Sequence, residues 1–196
     1  MAINKPNNYE ETQASGDFTP VELGGHKLII KEVVEQKTKR GKDMVVVRFD
    51  FASSDKQPGY FQTQYDNDIR PEKKWPHQAI QYILTEDQDG NCNRSFKTFT
   101  TCVENSNVGF EIKWGNKFCN CLKGKEVGGV FGTVEEEYNG ERKMKRRMRW
   151  FISIDKVADA PIPAEKYLSG NPPTNVSVGD GFVNVPDGID EELPFN

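Results

Sequence analysis

Within residues 27–36 and 43–52 apolar side chains recur at every second position, as they do along strands that bury one face. Leu23-Gly24-Gly25-His26 reads as a turn leading into the first strand, Lys27–Gln36. In that strand Leu28, Ile30 and the Val33-Val34 pair are the apolar anchors, and the alternation breaks at Val33. Thr38–Lys42 is a basic turn containing glycine. The second strand, Asp43–Ala52, puts Val45, Val47, Phe49 and Phe51 on one face and Met44, Val46, Arg48 and Asp50 on the other. A third strand is predicted at Gly59–Tyr65.

Residues 66–125 lack a clean period and read as a helical insertion. It holds Trp75-Pro76, a short amphipathic segment at His77–Leu84, an Asp-Gly turn at 89–90 and a helix near Ser95–Glu104. A last short helix is predicted from an Asn116 N-cap to Leu122, ended by Gly124. Next comes the clearest hairpin in the chain: Glu126–Tyr138 and Arg142–Asp155, joined at Asn139-Gly140. Strict alternation in its second strand gives a core face of Met144, Arg146, Met148, Trp150, Ile152 and Ile154. The opposite, charged face is Lys143, Lys145, Arg147, Arg149, Phe151 and Ser153. On this pattern Phe49, Phe51 and Trp150 belong to the core.

Three strands, a helical insertion and a two-stranded hairpin make an all-β, β-dominated fold. The order predicts a five-stranded OB-fold-like barrel over residues 21–156. An SH3-like barrel or a split sandwich has similar short strands, and the helix between strands three and four favours the OB arrangement. Residues 1–20 read as a flexible arm. Residues 157–196, with Pro161, Pro163, Pro172, Pro173 and Pro186, read as a Pro/Gly-rich linker and acidic tail.

A formal net charge of −4 argues at first against nucleic acid as a partner. The distribution reverses that. Residues 1–155 carry 24 Lys/Arg against 23 Asp/Glu, and residues 156–196 carry 2 against 7, so the acidity belongs to the tail. No apolar run approaches the roughly 20 residues of a membrane span. The first residues lack the apolar core of a signal peptide. A cytoplasmic protein is therefore expected, with Cys92, Cys102, Cys119 and Cys121 as free thiols, since their spacing fits no usual zinc knuckle. No metal or other cofactor is expected.

An OB barrel binds nucleic acid over strands two and three and between the loops joining strands 1–2 and 4–5. Lys37, Lys39, Arg40 and Lys42 fall in the first loop, and Arg48 lies on strand two. Arg142, Lys143, Lys145, Arg146, Arg147 and Arg149 run out of the second. Two basic lips on one groove would neutralise phosphates and release counterions. Exposed bases need flat partners as well. The candidates are Tyr60 and Tyr65 on strand three, Trp75 beyond it, Tyr138 at the hairpin tip, and Phe131 or Phe151. The opposing reading is that exposed strands carry Lys and Arg only for solubility and to block edge pairing.

Catalytic readings find little support. His26 and His77 are the only histidines, and there is neither a nucleophile elbow nor a Gly-Lys-Ser/Thr phosphate loop. Glu135, Glu136 and Glu137 are consecutive on a strand and point to alternating faces, so they cannot converge on one metal ion. They read instead as a solvated strand end beside a basic neighbour. No catalytic residue is assigned.

The chain closes Asp190-Glu191-Glu192-Leu193-Pro194-Phe195-Asn196. This acidic run ending in an apolar residue, Pro and Phe resembles the terminal peptide of bacterial single-stranded DNA-binding proteins. The resemblance implies that Leu193, Pro194 and Phe195 fill an apolar pocket on a partner while Asp190, Glu191 and Glu192 meet its basic rim. Asn196 departs from that pattern by displacing the terminal carboxylate from Phe195. The barrel, in particular Gly124-Lys125-Glu126-Val127-Gly128 and the Tyr138-Asn139-Gly140 hairpin, resembles phage and prophage single-stranded DNA-binding proteins of the DUF669-like kind. The likeness spans roughly residues 21–156.

Together the resemblances imply a phage- or prophage-encoded protein in the bacterial cytoplasm. It would bind single-stranded DNA in replication or recombination and recruit the proteins of those processes through its tail. The alternative is an adaptor whose barrel binds a polypeptide. Oligomeric state stays open, a homo-oligomer included.

Overall fold

The computed structural model describes residues 4–7, 9, 10 and 19–168. The expected docking peptide, Asp190–Phe195, and most of the N-terminal arm lie outside the described residues.

At the centre of the sheet is β1 (Gly24–Lys37), which pairs with β2 (Asp43–Phe51) along most of its length. Its first residues, Gly24–Ile29, also pair with β4 (Glu126–Tyr138). β3 (Ile80–Leu84) adds to β2, and β5 (Glu141–Ile152) adds to β4. The result is an open, fully antiparallel five-stranded sheet of order β3-β2-β1-β4-β5. The described residues add three α-helices: α1 (Tyr60–Asp66), α2 (Arg94–Ser106) and α3 (Phe118–Leu122). The fold is β-dominated, as the alternation predicts. Gly24 and Gly25 belong to β1 itself rather than to a turn before it.

The predicted third strand is a correction. Gly59–Tyr65 is not extended, and Tyr60–Asp66 forms α1. The cause lies outside the segment. Asp50, buried on β2, accepts hydrogen bonds from the Phe61 and Gln62 amides at 2.9 and 3.2 Å. It thus satisfies the orphan donors of the first helical turn, as a local N-cap would. Phe61 then enters the core, edge-on to Phe49 at 6.0 Å. The true third strand, Ile80–Leu84, lies inside the segment 66–125.

The hairpin forms as expected. Asn139 and Gly140 both have positive φ, 52° and 77°, as a two-residue turn between twisted strands requires. Its face assignment changes part-way along β5. Val130 pairs with Trp150 but Phe131 with Met148, so Arg149 is an extra, bulged residue. A bulge inverts the alternation beyond it. Met148 and Phe151 therefore both face the core, with Phe151 only 6% exposed and 4.7 Å from the Phe99 ring. Trp150 is 41% exposed instead of buried.

The core is aromatic around His26. Its ring stacks on Phe51 at 4.2 Å and meets Phe131 edge-on at 5.2 Å. Nδ1 lies 3.0 Å from Asp55 Oδ1, and Nε2 lies 3.0 Å from the Glu22 carbonyl oxygen. Asp55 also accepts from the Lys27 amide at 2.7 Å and the Gln57 amide at 2.9 Å. This small polar centre ties the entry to β1 to the loop after β2.

After β5 the chain turns back over the outer side of the sheet. Val157 and Ala160 lie against Gly25, and a Cβ built on Gly25 would sit 2.2 Å from the Val157 carbonyl oxygen. Gly128 leaves room for the Val157 side chain in the same way. Lys166 then forms a parallel bridge to Val134, its amide donating to the Thr133 carbonyl at 3.0 Å and its carbonyl accepting from Glu135 at 2.7 Å. It occupies the edge of β4 that β1 leaves free beyond Phe131. Packing on the sheet thus continues through the first part of the Pro-rich segment.

Candidate nucleic-acid interface

Side chains of cross-strand partners share a face of the sheet. The register therefore lays three rows across β1, β2 and β3: Glu32–Arg48–Ile80, Val34–Val46–Tyr82 and Gln36–Met44–Leu84. The alternate rows, with Val33, Val45, Val47 and Ile83, line the core. Tyr82 is thus on the outer face, beside Val46 and one row from Arg48.

Sequence reasoning did not single out Tyr82. Its strand is five residues long, and the inward position Gln81 is polar, which hides the alternation. The Tyr82 hydroxyl is pushed up by burial, while the nearby Arg48 charge acts in the opposite direction. Arg48 itself is ion-paired with Glu32.

Tyr82 is followed on this surface by His77, whose ring centroid is 6.4 Å away. His77 is pushed down by burial, and by the charges of Arg147 and Lys145 against the opposing pull of Glu136. Those residues come from the hairpin. The meeting is held by two glutamine side chains: Gln78 Nε2 donates to the Arg146 carbonyl at 3.1 Å and Gln81 Nε2 to the Met148 carbonyl at 2.9 Å. The predicted residues Arg48, Lys145 and Arg147 are in this way brought to one surface with the aromatic pair Tyr82–His77.

The basic run on β5 is not free charge. Arg147 holds Glu136 through two hydrogen bonds, one of them 2.8 Å, and Lys145 is 3.4 Å from the same carboxylate. The Arg147 bonds keep the Glu136 carboxyl below the usual glutamate range, against the upward push of burial. Arg142 pairs with Glu137 at 3.0 Å and Lys143 with Glu141 at 2.6 Å. Arg146 donates to the Val21 carbonyl, and Arg149 donates to the Ala164 carbonyl at 3.1 Å, so both brace the segments just before β1 and after β5. Glu136 and Glu137 therefore act as counter-charges to the adjacent strand, while Glu135 accepts from the Leu168 amide at 3.1 Å.

The other predicted residues divide. In the β1–β2 turn Lys37 pairs with Asp43 at 2.6 Å, and Lys39, Arg40 and Lys42 are exposed. Tyr138 is 73% exposed at the hairpin tip. Tyr60 and Tyr65 are on α1, not on a strand. Tyr60 packs on Phe51 at 5.8 Å, and burial pushes its hydroxyl up to about 12. Tyr65 and Trp75 pack together at 5.5 Å, and Trp75 Nε1 donates to the Phe49 carbonyl at 3.2 Å, where the β2–β3 ladder has ended. Phe131 and Phe151 are buried in the core and cannot stack on a base.

Among the described residues no group of three His, Cys, Asp or Glu side chains is placed to hold a metal ion, and the four cysteines are free thiols. No described helix is long and apolar enough to cross a membrane. No protein-family model matches this chain, and no curated protein matches it.

Proposed function

We propose that this protein is a non-catalytic, sequence-tolerant binder of single-stranded DNA whose five strands form an OB-fold-like barrel. The observation that carries the proposal is the aromatic pair Tyr82–His77 on the outer face, with Arg48 one row from Tyr82 and the Arg147 charge near enough to act on His77. Stacked bases and flanking phosphates call for that combination. The barrel reading rests on chain order and on the seam. Three strands, α2 and two more strands, in sheet order β3-β2-β1-β4-β5, close once β3 meets β5. The bonds from Gln78 and Gln81 supply such a meeting through side chains.

In this reading the β1–β2 turn and the β4–β5 hairpin are the two lips. They leave opposite ends of the β1–β4 ladder, and the outer face lies between them. The ion pairs on the hairpin hold arginine side chains in place, and phosphates exchange with Glu136 and Glu137 as DNA binds. The acidic C-terminal peptide recruits partner enzymes of phage-type replication or recombination.

The test is fluorescence anisotropy of a labelled oligo-dT of about thirty nucleotides, across salt, with the full chain and with residues 180–196 removed. Binding whose logarithm falls by about 0.7 per phosphate contact with log salt, and which persists without the tail, is the expected result. Flat anisotropy in every condition sinks the proposal and favours a barrel that binds a polypeptide.

A further inference from the structure

A second surface combines aromatic rings and positive charge. The stretch from Asn107 to Lys125, which links α2 to β4, contains four lysines against one glutamate. Trp114, within it, is 65% exposed. Its indole is nonetheless fixed, stacked on Phe118 at 5.4 Å with 19° between the planes and edge-on to Phe96 at 6.2 Å. An exposed large ring held flat by two others beneath it offers one open face.

The charge around it differs from that on the hairpin. Lys113 and Lys117 flank Trp114, are exposed, and have no ion pair among the described residues. Lys125 lies 4.4 Å over the Phe110 ring. Next to Lys113 an open cleft of about 500 Å³ is lined by Phe110, Lys113, Cys121 and Lys125, with Glu111 as its one carboxylate. Lys113 and Lys117 could meet phosphates without giving up an ion pair, whereas Arg142, Lys145 and Arg147 on β5 would have to release Glu136 or Glu137.

The position of this surface matters as well. α3 lies on the inner side of the last part of β1, where Cys119 Sγ donates to Glu35 Oε1 at 3.7 Å. Val34 and Gln36, next to Glu35 on the same strand, belong to the rows of Tyr82 and Leu84 on the outer side. The β1–β2 turn, with Lys39 and Lys42 exposed, therefore stands between the two surfaces.

We infer that Trp114, Lys113 and Lys117 form a second contact for single-stranded nucleic acid, onto which a strand bound over β2–β3 continues past the β1–β2 turn. Base stacking uses the open indole face, and the two lysines take the flanking phosphates. This inference builds on the proposed function but concerns a separate surface.

The test compares full-length wild type, Trp114→Ala, Trp114→Phe and the double variant Lys113→Glu/Lys117→Glu on labelled oligo-dT of about 40 and about 12 nucleotides. Melting temperatures verify that each variant is folded. For the longer oligonucleotide we expect affinity to fall at least about fivefold in Trp114→Ala and in the lysine variant, the lower end of the worth of one stacked base. Trp114→Phe retains most of it. The shorter oligonucleotide, held over β2–β3, changes by less than about twofold on the same scale. Wild-type affinity for the longer oligonucleotide in both Trp114→Ala and the lysine variant overturns the inference and leaves the proposed function standing. If Trp114→Ala is weakened while Tyr82→Ala, measured alongside, is not, Trp114 binds on its own and the continuation from β2–β3 is overturned. A wild type that binds neither oligonucleotide overturns both; tight binding of an acidic, aromatic peptide at Trp114 would then reassign the surface to a protein partner.

Discussion

The Gln81 side-chain amide donates to the Met148 carbonyl at 2.9 Å, joining two strands whose backbones are not paired with each other. Gln78 does the same to Arg146 a short way along. Removing both amides leaves two backbone carbonyls without these partners, at about 1–3 kcal/mol in all. Gln78→Ala/Gln81→Ala is expected to lower the melting temperature by about 2–12 °C, at the 2–4 °C per kcal/mol usual for a chain of this size. Circular dichroism on heating checks it. An unchanged transition would mean that the seam adds no stability.

Asp55 gives a pH dependence with a definite sign. Burial works to raise its carboxyl, but the bonds from His26, Gln57 and Lys27 outweigh burial and hold it below its ordinary 3.8. A lowered folded value stabilises the native state fully above 3.8 and is lost as pH falls through the folded value. Asp55→Asn should therefore be less stable than wild type at neutral pH, and the gap should narrow only below 3.8. Denaturant melts at pH 7 and pH 3 measure it, and a gap that widens in acid would contradict the argument.

Glu136 restrains the two cations nearest His77. Glu136→Gln keeps the shape and removes the charge. If Arg147 and Lys145 meet phosphates, the variant should bind oligo-dT roughly three- to tenfold more tightly at low salt, with a steeper salt dependence. Weaker binding would assign the pair a purely structural role.

Tyr82 separates stacking from hydrogen bonding. Tyr82→Ala is expected to cost about 1–3 kcal/mol of oligonucleotide binding, and Tyr82→Phe much less, because every base has a π-face and the ring is what it meets. Equal losses in the two variants would shift the role to the hydroxyl. Equal affinities in all three proteins would remove Tyr82 from the interface.

Elements governed by near neighbours were legible in the sequence. β2 declares itself through Val45, Val47, Phe49 and Phe51, the hairpin through Asn139-Gly140, and α2 through its apolar spacing. Features set by distant residues were not. α1 is a helix because Asp50 caps it from another strand, so Tyr60 and Tyr65 left the predicted site with it. The single extra residue Arg149 exchanged the positions of Trp150 and Phe151, an inversion that alternation alone cannot reveal. The basic lips were visible, but their pairing with Glu136 and Glu137 depends on register across the hairpin. Tyr82 and Trp114 emerged only when the strand and the connecting segment acquired neighbours.

The central place of β1 has a consequence for how the chain is made. Its partner on one side, β2, leaves the ribosome almost at once, but its partner on the other side begins about 100 residues later. Throughout that interval the nascent sheet shows a raw edge at Gly24–Ile29, and Leu28 lacks its neighbour Val127. Contacts so distant along the chain slow folding and lengthen exposure to aggregation. Synthesis of β4 is therefore the step that commits the protein to its fold, and a chain halted before Glu126 would depend on a chaperone to keep that edge from pairing with another chain.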